Sequence, residues 1–505
     1  MSKSTFFGII LPELGKKGAW AENLVSAFDL LDNMLSVAHN KDGTLKNTII
    51  NAVSANDYQV AGLVSGSNVT NAVADANASA INNAILTALS TKEVNGGAIV
   101  EIPAGVYAIS SPIILYSDVT LRGMGAKGTR ASVLKPSVSF PSGQSIIESE
   151  GFSAYNAWMD GYNVAAGVEY TPGAAAVGIY NPATRPVPTR VQFSSVEGIH
   201  LDGSDICSFG IGLIGLECVV QNNTMRYFTN SGIKLGGWTP TAIGVDVIPY
   251  LSLNNVVNNN LVIKNAGTGV KMAGPCIHEA SYTADTRIQN NYIEGSLSAG
   301  VMSRGSNCRI SGNHIFDCNN GVESRDSHEK FILDNYIENI NSHSILVFNG
   351  ASWEDGASII ISNNVLRNTN TGQFYPGVDQ AAANTTSGAT PNICIARAAI
   401  MIYEVANRRS LDKIIISNNI LRRDANDPNT GGAAWVDAPT NPFWNSSVTR
   451  GKVPYMIAVV EAALKQDGVT PIDVISNNNI VQGGVATLAT QNLALLRAEA
   501  DISVW

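Results

Sequence analysis

The feature that most limits what this chain can fold into is a short unit that returns eight times: QNNTMRY, NNNLVIK, QNNYIEG, SGNHIFD, LDNYIEN, SNNVLRN, SNNILRR and SNNNIVQ. Each sets an Asn-rich turn before an apolar anchor, taken as Met225, Leu261, Ile293, Ile315, Ile337, Leu366, Leu421 and Ile480. Ile293, Ile315 and Ile337 follow one another at 22 residues, close to the shortest chain that makes three strands and three turns. Such a coil leaves flat apolar ends uncovered, so coils stack about 4.8 Å apart and bury a continuous column of Ile, Val and Leu. Asn suits the turn twice over, because it tolerates left-handed backbone angles and its amide can bond the same amide one coil away.

A second repeat marks the neighbouring strand: SGIKL, TGVKM, AGVMSR, NGVESRD, HSILVFN, AAIMIYE and YMIAVVE. Aligning them turns two long spacings into single coils with insertions, from about Thr369 to Pro391 and from about Asp424 to Pro454. Consecutive coils then carry long loops at one place, where they can wall a groove. The expected fold is therefore all-β, a right-handed parallel β-helix over 79–484. Residues 1–78 read as an N-terminal attachment and neck segment and 485–505 as a C-terminal cap or tail. Within the first segment, Trp20, Leu24, Phe28, Leu31 and Leu35 have the spacing of one helical face. Asn77–Leu89 suggests a second helix, and period-2 sheet begins near Ala98.

Composition removes several function classes. Charged residues make up 14% of the 505, and the formal net charge of −9 argues against a nucleic-acid partner. No apolar run is long enough to span a bilayer, so membrane insertion is not expected, and the start of the chain lacks the pattern of a secretory signal. Six cysteines, Cys207, Cys218, Cys276, Cys308, Cys318 and Cys394, are scattered without C-x-x-C pairing and read as free buried thiols. No metal-ligand spacing stands out, so no cofactor is expected.

NNAILTAL followed by GGAIVEIPAGVYAI and VTLRGMG resembles the capped first coils of pectate-lyase-like β-helices, a family that includes phage tailspikes. The resemblance implies binding, and usually cleavage, of a bacterial surface polysaccharide by a homotrimer carried on the virion tail. LPELGKKGAWAENLVSAFDLLDNML looks like the segment that joins many fibres and spikes to phage tail or adaptor proteins. The family's Arg-x-Pro-x-x-Arg stretch is not matched by Arg185–Arg190, whose prolines stand elsewhere.

On a β-helix, outward side chains of successive coils form ladders. Taking Val322, Ile345, Ile400 and Ile457 as inward equivalents puts Asp326, Asn349, Glu404 and Glu461 in one column at the strand end. Glu404 and Glu461 would stand one rung apart, roughly 5 Å, and Asp326 and Glu404 two rungs, roughly 9 to 10 Å, which bracket the retaining and inverting geometries of glycoside hydrolysis. Glu404 could equally pair with Arg408 or Arg409. Strict alternation turns Asp326 inward unless the strand has ended.

One strand earlier lie Lys234, Lys271 and Glu323, with Arg304 and Arg325 two positions on. These read either as a solvated face of salt bridges or as recognition of an acidic sugar. In the second case a lyase would neutralise a carboxylate with Arg or Lys while a base such as Glu323 removes a proton. His278, His314, His328 and His343 are dispersed and read as structural. Trp353, Tyr375, Trp435 and Trp444, with Phe374 and Phe443, stand in or near the insertions and fit either pyranose faces or a subunit interface. Glu354, Asp355 and Asp379 are nearby reserve carboxylates. Hydrolase, lyase and non-catalytic adhesin all remain open at this point.

Overall fold

The computed structural model describes residues 57–67, 69–91, 97–156, 188–237, 251–264, 271–280, 283–325, 329–340, 342–349, 357–369, 398–404, 411–422, 455–460, 473–482 and 495–498. Within them the chain winds as a right-handed parallel β-helix, each coil contributing strands to three successive faces. The first face is a twelve-stranded parallel sheet running from Asp57–Gln59 and Ala98–Ile102 to Asp473–Asn477. The second and third faces are joined in one twenty-stranded sheet, because Tyr292–Ser303 and His314–Arg325 each run unbroken across the corner between them.

Stacking puts one aliphatic residue per coil into each interior column. On the first face the column is Val100, Leu121, Val196, Val220, Val257, Ile288, Ile310, Ile332, Ile361 and Ile416, each the register partner of the next and each buried. β-branched residues dominate because their branched Cβ fits a pleated wall. On the second face the column is Met225, Val262, Ile293, Ile315, Ile337, Leu366, Leu421 and Val481. Two of the expected anchors thus move by one residue, Leu261 to Val262 and Ile480 to Val481. Ile480 is 50% exposed. On the third face Val322, Ile345, Ile400 and Ile457 pair in succession, as the alignment required.

The reason for the shift lies in the turn between the first two faces. Asn223, Asn260, Asn291, Asn313, Asn335, Asn364, Asn419 and Asn479 form an unbroken ladder, each Nδ2 donating to the next Oδ1 at 2.9 to 3.1 Å. The same Oδ1 atoms accept the backbone N–H of the residue one coil earlier. The residue before each ladder Asn carries the left-handed backbone: Asn222, Asn259, Asn290, Gly312, Asp334, Asn363, Asn418 and Asn478 have φ of 53° to 66°. One Asn bends the chain and the next pins it, so the interior position is always the ladder Asn plus two. A corner glycine closes the unit on its other side, since a Cβ on Gly300 would stand 2.3 Å from Ile315 Cγ2.

A helix, Asn71–Thr91, covers the open end of the first coils with Ala74, Ala78, Ile81, Ile85 and Ala88. Asn77, fully buried, donates to the carbonyls of Val64 and Ala108 and accepts from the Val64 N–H, which ties the segment before the helix to the sheet. The helix starts six residues before the expected Asn77, so the boundary drawn at 79 falls inside it. At the other end Leu495–Ala498, within the expected tail, pairs with Ile457–Val460 as a further rung. The amphipathic stretch 18–37 lies outside the described residues. No helix among the described residues is long and apolar enough to cross a membrane.

Cys207, Cys218, Cys276, Cys308 and Cys318 are free and buried, as expected, and burial holds the Cys218 thiol up at about 11. Cys394 lies outside the described residues. One interior place breaks the aliphatic rule. Glu279 stands in the column of Leu235, Lys330 in that of Ile359, and both are wholly buried with Nζ and Oε2 3.7 Å apart. The Ser303 hydroxyl bridges them, donating to Glu279 Oε2 and accepting from Lys330, which also donates to the Gly305 carbonyl.

Candidate functional site

The third face has long connections on both of its edges. Residues 264–276, 370–397 and 423–454 precede its strands, and 150–190 and 236–251 follow them. Its outward register runs Glu148, Gly212, Lys234, His278, Met302, Glu323, Leu346, Met401 and Ala458. Along this register the ionisable side chains run from Glu148 to Glu323, and Leu346 and Met401 follow. Arg304 and Arg325 follow two residues beyond Met302 and Glu323, which brings three cations around His278.

The charges here are packed rather than freely solvated. The Lys234 ammonium donates to Asn156 Oδ1 and sits 5.2 Å over the Phe209 ring. Glu323, 2% exposed, accepts from Asn320 Nδ2 at 2.9 Å and pairs with Arg325. Glu148, also buried, accepts the Ser153 hydroxyl, and burial holds its carboxyl above the ordinary 4.5. His278 is half-buried as a residue, and its Nε2 is sealed and has no hydrogen-bond partner among the described residues. Burial first, then the charges of Lys234, Arg304 and Arg325, hold the imidazole well below its ordinary 6.5. A neutral imidazole beside three cations is a proton acceptor that does not add to their repulsion.

That shift makes stability depend on pH with a definite sign. The unfolded chain takes up a proton near pH 6.5 that the folded chain refuses, so this contribution is full above that value and is lost as pH falls through and below it. The melting temperature of the wild type is expected to fall more steeply between about pH 7.5 and 5.5 than that of His278→Gln. Parallel curves for the two proteins contradict this environment for His278.

The structure gathers Lys234, Glu323, Arg304 and Arg325, but not Lys271. Lys271 precedes the rung, which belongs to Ile277–Glu279. Lys271 instead donates to the Asp317 carbonyl and carboxylate, beside the second face. His278 takes the place assigned to it, and the exchange was hidden because IHE lacks the Gly-apolar signature that TGVKM displays.

Glu404 is the register partner of Asn349 and closes the strand Ala398–Glu404. Asp326, Glu461, Trp353, Tyr375, Trp435 and Trp444 lie outside the described residues, as do the reserve carboxylates and His328. Among the described residues no group of three or more His, Cys, Asp or Glu side chains could hold a metal ion.

The family described as rhamnogalacturonase A/epimerase, pectate lyase-like, matches residues 67–170, which span the capping helix and first coils. The first coils thus carry a pectate-lyase-like pattern, and the parallel coils of the β-helix continue beyond it. No curated protein matches the sequence. Among solved structures it is similar to DFA-IIIase from Arthrobacter chlorophenolicus A6, at 11% identity over 88% of this chain and 90% of that one, with a TM-score of 0.45. It is also similar to the Streptococcus pneumoniae surface protein and adhesin PfbA, at 13% identity, 85% and 97% coverage and a TM-score of 0.49. A third, ORF18 of Geobacillus virus E2, stands at 13% identity, 65% and 60% coverage and a TM-score of 0.37. None of these three bears on what the present chain acts on.

Proposed function

We propose that this β-helix is a phage tailspike that binds a bacterial surface polysaccharide and cleaves it endolytically by glycosidic hydrolysis. The observation that carries the reading is the ladder on the third face, where Lys234, His278, Glu323, Arg304 and Arg325 lie together between long connections. Hydrolysis needs a group that protonates the glycosidic oxygen as its bond to carbon breaks, and a second that takes a proton from the attacking water. Glu323 and Glu404 are the carboxylates proposed for these roles, with Asp326 and Glu461 beside Glu404. Lys234, Arg304 and Arg325 position an acidic sugar, and Trp353, Tyr375, Trp435 and Trp444 supply apolar faces for pyranose rings. Three copies assemble side by side, with the N-terminal segment joining the virion tail.

One observation favours a second reading, β-elimination. The neutral His278 among three cations is the arrangement that removes a proton next to a carboxylate while the cations neutralise that carboxylate. Glu323→Gln and Glu404→Gln, each assayed for binding and cleavage, test the assignment. The residue that acts as acid or base loses cleavage about a hundredfold while polymer binding stays. Full cleavage in both variants removes both residues from the chemistry.

A further inference from the structure

The second face carries a row that neither the fold nor the ladder on the third face uses. Its outward register at ladder Asn plus one runs Leu261, Tyr292, His314, Tyr336 and Val365. Tyr292, His314 and Tyr336 stack edge to face, with centroids 4.9 Å apart at both steps, one ring per coil. None of the three is buried, and the His314 side chain is 38% exposed. Core packing does not account for this row, since the interior positions beside it are Ile293, Ile315 and Ile337.

Two residues further along each strand lies a parallel row, Glu294, Phe316 and Glu338. The same Tyr-x-Glu device occurs twice. Tyr292 Oη meets Glu294 Oε2 at 3.3 Å, and Tyr336 Oη meets Glu338 Oε2 at 3.1 Å. The two stand two coils apart, about 9.6 Å. His314 Nε2 and Arg367 Nη1 also reach Glu338, at 3.1 and 3.0 Å. Carboxylates accept hydroxyl hydrogens in pairs, ring faces take the apolar C–H face of a sugar, and the two rows lie one strand step apart on an open sheet.

We propose that Tyr292, His314 and Tyr336, with Glu294 and Glu338, form a second carbohydrate-binding face, which takes neutral or amino sugars of a polymer lying along the solenoid axis. The preference follows from charge. The third face gathers Lys234, Arg304 and Arg325 around His278, whereas the middle of this row carries Glu294 and Glu338, with Arg226 and Arg367 at its two ends. Arg367 and Lys271 are occupied by Glu338 and Asp317. A repeat of two sugars advances by about two rungs, so successive repeats meet successive Tyr-x-Glu pairs. The proposal rests on the reading that the ligand is a polysaccharide, but not on the reading that it is cleaved.

The test uses the full chain and a panel of purified bacterial capsular and O-antigen polysaccharides, neutral, amino-sugar-containing and acidic. Tyr292→Ala/Tyr336→Ala is expected to bind the polymer chosen by the wild type at least tenfold more weakly. Tyr292→Phe/Tyr336→Phe keeps the rings and stays within threefold of the wild type, and Tyr292→Leu/Tyr336→Leu, which removes the rings but keeps apolar bulk, carries the same expected tenfold loss if the alanine variant folds poorly. Unchanged affinity in a folded alanine variant overturns the second face while leaving the polysaccharide reading intact. Subunit dissociation of that variant in sedimentation, with affinity per folded subunit unchanged, also overturns it and makes the row a contact between copies. If Glu294→Gln/Glu338→Gln abolishes cleavage while leaving affinity unchanged, the row is a catalytic centre rather than a binding face. Failure of the wild type to bind any member of the panel removes the polysaccharide reading and the proposal together.

Discussion

Lys330→Met destabilises the solenoid by about 3–5 kcal/mol, although methionine is the more usual interior residue. Lys330 and Glu279 are both at 0% exposure, and the lysine is the cation nearest the carboxylate, with Ser303 between them. Removing it leaves an ionised group in an apolar column with a hydroxyl as its main partner. Glu279→Leu costs a similar amount by stranding the ammonium. The double replacement Glu279→Leu/Lys330→Met, which restores the aliphatic columns on both faces, recovers most of the loss and falls within about 1–2 kcal/mol of the wild type. Guanidinium midpoints of the four proteins check this. Losses that simply add in the double variant contradict the pairing and point to packing at each position separately.

The second large effect separates the two asparagines of the turn. Asn313→Ala is expected to cost about 3–5 kcal/mol, because the amide serves several buried partners at once. It donates to the Ile288 and Ser311 carbonyls and to Asn335 Oδ1, and it accepts from the Asn291 amide and backbone N–H. Apolar replacement orphans all of them, and no water can reach a site 1% exposed. Its neighbour one coil away, Asn290, sits at φ 56° and serves the bend instead. Asn290→Gly therefore changes stability by only a few tenths of a kcal/mol, and Asn290→Ala costs about 1 kcal/mol through the left-handed backbone. Equal losses at Asn313 and Asn290 contradict the division of labour.

Much of this architecture was legible because repetition makes errors visible. The spacing of Ile293, Ile315 and Ile337, the turn chemistry of Asn and the alignment of Val322 with Ile345, Ile400 and Ile457 all follow from periodicity. Anchors failed where two apolar residues adjoin, as at Leu261 and Val262, because apolar character cannot choose a parity that the ladder Asn determines. Lys271 was misplaced because TGVKM imitates the strand signature while the rung belongs to Ile277–Glu279. Glu279 and Lys330 were invisible as a pair, since each breaks the interior pattern and only the fold brings them together. Tyr292, His314 and Tyr336 stood in full view within NYIE, NHIF and NYIE, but reading those words for their anchors alone passed over the outward positions on either side.

Incubating the purified protein with surface polysaccharides from a panel of hosts, and weighing the products by mass spectrometry, tests the central claim most directly. The expected result is a ladder of oligosaccharides from one polymer, each heavier than the sum of its sugar units by one water. Unsaturated oligosaccharides would replace hydrolysis with elimination and move the chemistry to His278 and its cations. A polymer that is bound tightly and returned uncut contradicts the depolymerase account and leaves a receptor-binding spike.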